Sequence, residues 1–161
     1  MKTSGRPVVR SLGRPRCTIE WTGIQVDETV RVLAGRAVES ALAIDKLRKR
    51  SLCVFLVDDP ESARLHAQHF GDSEPTDVMS FPDGAVDPST GLIRLGDLAV
   101  GLGVAQRLSV QRQRPLAEEL ALYVLHGTLH LLGHDDVDDA DREAMWAEQR
   151  RVMGSLGITI D

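Results

Sequence analysis

Alternating and periodic apolar positions divide the chain into strands and helices in a definite order. Residues 16–21 set Cys17, Ile19 and Trp21 against Arg16, Thr18 and Glu20, the two-residue period of a half-buried strand. From Asp27 the period lengthens. Val30, Leu33, Ala34, Ala37, Val38, Ala41 and Leu42 follow the i, i+3, i+4, i+7 spacing of an amphipathic helix, with Asp27 placed to cap it. Residues 52–57 are an unbroken apolar run with β-branched members, which predicts an interior strand covered on both faces. Asp59 and Pro60 read as a helix start, a capping carboxylate before a proline whose missing N–H costs nothing there. That helix should reach Phe70 and stop at Gly71. Residues 78–81 predict a short strand closed by Pro82, Asp83 and Gly84, and residues 92–100 another, interrupted at Gly96 and Asp97. Three helices follow: one over residues 101–110, one opened by Pro115 and stopped after Leu132 by Gly133, and one from Asp138 or Asp139 with Met145, Val152, Met153 and Leu156 turned inward.

This order predicts an α/β or α+β fold, a small mixed β-sheet packed with about five helices. A chain of 161 residues forms one compact core without metal or disulfide staples, so a metal site in it would serve function and not scaffolding. Residues 16–161 are expected to form that single domain. Residues 1–15, with Pro7, Pro15 and no hydrophobic stretch, are expected to form a flexible basic arm. A hydrophobic share of 42% against 27% charged excludes a disordered chain. Cys17 and Cys53 make no disulfide framework, and the apolar run over residues 120–133 is too short for a bilayer. A cytoplasmic protein without a membrane partner is expected. The net charge is -5, although the first sixteen residues hold five cations and no acid. A nucleic-acid partner would therefore need a local basic surface: the arm, the cluster at residues 46–50, or Arg107, Arg112 and Arg114. Each of these also reads as an ordinary solvated face.

The chemistry concentrates in residues 126–136, His-Gly-Thr-Leu-His-Leu-Leu-Gly-His-Asp-Asp. His126 and His130 stand four apart on a helix, so their rings project from one face a turn apart and can hold one metal ion. Gly133 lets the chain leave the helix and fold back, which brings a third ligand to the same ion. Asp136 is the expected third ligand and His134 its competitor; Asp136 also reads as part of the acidic start of the last helix. Zinc peptidases with HExxH place their general base at the position held here by Gly127, which argues against a protease. Glu119, two turns before His126, reads either as a residue ordering the metal site or as an acid in an early helical turn.

The segment from His126 to Asp136 resembles the signature H-G-x-L-H-L-x-G-Y-D-H of the YbeY family of bacterial rRNA maturation factors, metal-dependent single-strand-specific endoribonucleases. Residues 75–82, Pro-Thr-Asp-Val-Met-Ser-Phe-Pro, resemble that family's P-T-D-V-L-S-F-P, and residues 95–98 its L-G-D-I. The resemblance implies a mixed sheet with several helices, one Zn²⁺, a role in 16S rRNA 3′-end maturation, and single-stranded RNA and the small ribosomal subunit as partners. Two departures stand out. The family's third histidine falls at Asp136, which makes the ligand set His126, His130 and Asp136. The arginine that members carry ahead of the Pro75 block is missing from residues 65–74; Arg64 sits at an unmatched position, with His66 and His69 as the nearby alternatives. A ribosome-associated RNA-binding or chaperone-like factor with a structural metal is the alternative reading. A two-histidine, one-carboxylate iron enzyme is a third.

Overall fold

The computed structural model describes residues 17–42 and 49–161. The arm at residues 1–15 and Lys46, Leu47 and Arg48 of the basic cluster lie outside the described residues. The elements are β1 (Cys17–Gly23), α1 (Glu28–Ala41), β2 (Arg50–Val57), α2 (Asp59–Phe70), β3 (Val78–Pro82), β4 (Ile93–Gly101), α3 (Leu102–Gln111), α4 (Leu116–Leu131) and α5 (Asp139–Ser155). Their order is the one the apolar pattern predicts.

The sheet runs β1-β2-β4-β3, with β1, β2 and β4 parallel and β3 antiparallel to β4. β4 is continuous through Gly96 and Asp97. The expected interruption is a register shift instead: Ser51 pairs with Arg94 and Leu52 with Gly96, leaving Leu95 as the extra residue. Alternation along the strands sorts the side chains between two layers. Leu52, Val54 and Leu56 of β2, with Leu98 and Val100 of β4, face the large core shared with α1, α4 and α5. Phe55, Val57, Ala99, Met79 and Phe81 turn to the other face, where Leu65 of α2 meets them. One helix covers that second face, so Cys53 and Phe55 are only half-buried, and β2 is less enclosed than its apolar run predicts.

α4 is the central helix. Residues 119 to 125 are all buried, because α1, α3, α5 and the β3–β4 edge surround them. Its contact with the sheet is close at Gly127, where a Cβ would stand 2.7 Å from Leu98 Cδ2 and 3.0 Å from Val78 Cγ2. Ser80 of β3 donates to the Gly127 carbonyl at 3.1 Å. Aspartates open three helices. Asp27 accepts from the Val30 N–H at 3.0 Å and Asp138 from the Asp141 N–H at 2.8 Å. The cap of α2 is Asp58, which accepts from Glu61 N–H at 3.0 Å, and not Asp59 as the sequence suggests. Asp59 lies one residue inside the helix and pairs with Arg107 at 2.6 Å. Leu156 caps the far end of α5 and is half-buried, while Met145, Val152 and Met153 are enclosed as expected.

Candidate metal centre

The last turn of α4 and the loop after it build the site. Gly133, at φ 97°, takes the left-handed conformation that reverses the chain. Its N–H donates to the His130 carbonyl at 3.0 Å, and the His134 N–H donates to the Leu129 carbonyl at 3.0 Å. Those two bonds form a Schellman motif that fixes the exit direction. Arg142 of α5 then reaches back, donating to the Val137 carbonyl at 2.9 Å and to the Asp136 carbonyl at 3.4 Å, and pairing with Asp139. The loop is thus held at both ends, with Asp136 between them.

His126, His130 and Asp136 converge. The Nε2 atoms of the two histidines are 3.1 Å apart, and Asp136 Oδ2 is 3.5 Å from the first and 3.4 Å from the second. Ligands at ~2.05 Å from a tetrahedral ion would be about 3.3 Å apart, so the three distances fit a zinc-sized ion. Proton placement agrees. His126 Nδ1 faces Gln149 Oε1 at 3.2 Å, and Gln149 is oriented by its own Nε2, which donates to the Met145 carbonyl at 3.4 Å. His130 Nδ1 faces the His134 carbonyl at 3.1 Å. Both partners accept, so the tautomer with its proton on Nδ1 satisfies them and leaves each Nε2 lone pair turned inward for a cation. Two lone pairs and a carboxylate oxygen then meet at one point, an arrangement that a cation relieves.

Other sequence candidates go elsewhere. His134 is exposed and brings its main-chain carbonyl, not its ring, to the cluster. Glu119 is fully buried and engages Arg112 at 3.2 and 3.4 Å and Arg114 at 3.8 Å. It orders that arginine pair and has no bond to His126. Gly127 faces the sheet, so a side chain there would point into Leu98 and Val78 and away from the metal cluster. His66 bonds the Glu74 carbonyl at 2.7 Å, His69 sets its edge against Phe81, and Arg64 is paired with Glu61 on an exposed face. None of these three joins the cluster.

The cluster opens on a cleft of about 170 Å³ walled by Asp77, Arg112, Tyr123, Arg142 and Trp146 beside His126 and Asp136. Burial, with the Glu119 carboxylate beside it, pushes the Tyr123 phenol well above its ordinary range, so the phenol adds no charge to the cleft.

Residues 17–157 match the family model described as Endoribonuclease YbeY. The chain belongs to this family. Across 98% of its length it is 32% identical to Endoribonuclease YbeY of Parvibaculum lavamentivorans, covering 94% of that protein. To Endoribonuclease YbeY of Halorhodospira halophila it is 39% identical over 113 residues, 69% of this chain and 73% of the relative. The solution structure of TM1509 from Thermotoga maritima superposes with a TM-score of 0.59 at 23% identity, over 87% of this chain and 92% of that one, and shares the fold.

The blocks that resemble the family's acquire physical roles in this family member. Asp77 accepts from the Val78 N–H at 2.7 Å and sets the start of β3, Ser80 ties β3 to α4, and Arg94 links Asp83 to Asp97. Two residues of the site escaped the sequence reading. Gln149 interrupts the buried stripe of Met145, Val152 and Met153, and a polar residue on an apolar stripe was the available signal. Arg142 gave no signal, because only the folded loop brings the 136–137 carbonyls to it.

Proposed function

We propose that this chain is a metal-dependent, single-strand-specific endoribonuclease acting in 16S rRNA 3′-end maturation, with one Zn²⁺ held by His126, His130 and Asp136. The observation that carries the reading is the meeting of three ligand-type atoms, 3.1 to 3.5 Å apart, in a chain of the endoribonuclease family. Asp136 in place of a third histidine adds a negative charge to the set, which lowers the electrophilicity of the ion without removing a ligand. When bound, zinc supplies Lewis acidity to the scissile phosphate and to the attacking oxygen, whether that oxygen comes from water or from the RNA 2′-hydroxyl. The protein's own part is positional: Gln149 and the His134 carbonyl fix the two rings, and Arg142 fixes the loop. The substrate is single-stranded rRNA precursor on the small ribosomal subunit, in the cytoplasm. No helix among the described residues is long and apolar enough to cross a membrane.

The missing arginine ahead of Pro75 and the net charge of -5 favour a second reading, a ribosome-associated RNA-binding factor whose metal is structural. Cleavage of a 16S rRNA 3′-precursor oligonucleotide separates the two. Metal-analysed protein should cut it, and His130→Ala and a chelated sample should not. A folded, metal-loaded sample that cuts nothing would transfer the weight to the binding factor, and undiminished cutting by His130→Ala would overturn the site.

A further inference from the structure

We propose that Arg112 and Trp146 form an RNA track beside the metal cluster, Arg112 holding a backbone phosphate and Trp146 stacking a base; this rests on the endoribonuclease reading above.

The shape of the surface comes first. The cleft that contains His126 and Asp136 is walled by Arg112, Leu122 and Trp146, and the same three residues wall a second hollow that continues to Arg114. The two hollows therefore adjoin along these three residues. On the other side of the cluster, His130 and Asp136 wall a third hollow with Phe70, Ser80 and Pro82. The candidate metal ligands thus border two of three adjoining hollows, which reach toward Arg114 on one side and Phe70 on the other. A strand laid across such adjoining open hollows can be cut internally, whereas a closed pocket would accept only an end.

Charge selects Arg112. Glu119 is a single buried carboxylate facing two guanidinium groups, so these three side chains together keep one positive charge. Arg112 meets Glu119 through Nη1 alone, which leaves Nε and Nη2 without a protein partner among the described residues. Its side chain is 45% exposed. The other arginine of the cleft, Arg142, is committed to Asp139 and the loop carbonyls. Of the acids along these walls, Asp77 is engaged by Val78 N–H and the Thr76 hydroxyl, Asp136 belongs to the metal cluster, and Asp161 lines the second hollow. A guanidinium anchored at one nitrogen and open at the others matches a phosphodiester, which offers paired acceptor oxygens.

Trp146 supplies the second contact. It lies beside buried Met145 on α5 yet is 37% exposed, and the Arg150 guanidinium sits 5.8 Å from its ring centre. An exposed indole next to cationic groups in a groove is the combination by which single strands are held, through base stacking and phosphate pairing.

The test uses full-length, zinc-loaded protein and a short single-stranded RNA oligonucleotide. Trp146→Ala should raise KM and weaken binding about tenfold with kcat little changed, and Trp146→Phe should recover most of the loss. Arg112→Gln should raise KM similarly and flatten the dependence of log affinity on log salt by about 0.7 for the one lost phosphate contact, while Arg112→Lys keeps that slope. Because Arg112→Gln also removes a partner of buried Glu119, the surface variant at Trp146 carries the test if folding suffers. In a Trp21→Phe background Trp146 is the remaining tryptophan, and its emission should be quenched by the RNA. Variants that cut and bind like the parent, or an emission that RNA leaves unchanged, overturn the track and leave the nuclease reading standing. A parent that neither binds nor cuts RNA overturns both.

Discussion

At the scale of the residue, the metal centre depends on what holds the far nitrogen of each histidine. His130 leans on a main-chain carbonyl, which mutation cannot remove, whereas His126 leans on the Gln149 side chain. Gln149→Leu should keep the fold, since the position lies on the apolar stripe of α5, yet free the His126 ring to rotate or change tautomer. Zinc affinity is expected to fall about 10–100-fold, read by competition with a chromophoric chelator. An unchanged affinity would mean that this bond does not orient the ring. His134→Ala keeps the carbonyl that His130 uses and should bind zinc like the parent, while Asp136→Ala should lose most of the affinity. The reverse ranking would make the His134 ring the third ligand. Far from this site, Cys17 is the residue with a predictable pH signature. Burial, reinforced by Glu39, pushes its thiol up to about 12. Its folded value lies above the unfolded one, so the stability it contributes is complete below about pH 9 and is lost as pH rises toward 12. The loss should run at up to about 1.4 kcal/mol per pH unit. Urea midpoints measured across that range should fall less steeply for Cys17→Ala than for the parent.

At the scale of the element, the position of α4 against the sheet sets where the two histidines face. Its approach to β3 and β4 is possible because residue 127 has no side chain. Gly127→Ala places a methyl group against Leu98 and Val78 in a packed core, and the expected cost is about 1–3 kcal/mol in chemical denaturation. A neutral result would show that α4 sits less tightly on the sheet than the structure has it. Such close approaches are not legible in a sequence, whereas the elements themselves are. Apolar periodicity is local, so it finds all the strands and helices, and a helix brings His126 and His130 together without knowledge of the fold. Adjacent aspartates at 58 and 59 are equally able to cap, and only backbone dihedrals decide between them, so the sequence points to Asp59 where the structure uses Asp58. A bulge at Leu95 and an interruption at Gly96 and Asp97 leave the same mark in a polar–apolar pattern, so the sequence does not separate them. Gln149 and Arg112 reach the site from α5 and from the end of α3, so their roles depend on packing between distant segments. Chain-local pattern carries no information about that packing.

At the scale of the whole molecule, the question is whether the metal holds the fold together or is held by it. The hydrophobic core runs between the sheet and α1, α4 and α5, and it includes none of the three candidate metal ligands. His126, His130 and Asp136 are instead 24%, 28% and 40% exposed in their side chains, at the end of α4 and in the loop after it. The loop has its own protein anchors in the Schellman motif and Arg142, so it does not depend on the ion for its course. A core of this extent should survive chelation. An ion that binds only the folded state contributes RT ln(1 + [L]/Kd), about 2.7 kcal/mol at a free concentration a hundredfold above Kd. For a domain of this size that corresponds to a Tm raised by about 5–11 °C. The expected outcome is therefore a chelated protein with the far-UV circular dichroism of the native state and a cooperative transition at modestly lower temperature. It should recover both Tm and RNA cleavage on addition of zinc. Loss of secondary structure at room temperature on chelation would reverse the argument: the ion would then be a staple, and the family's chemistry would no longer explain why this chain keeps it.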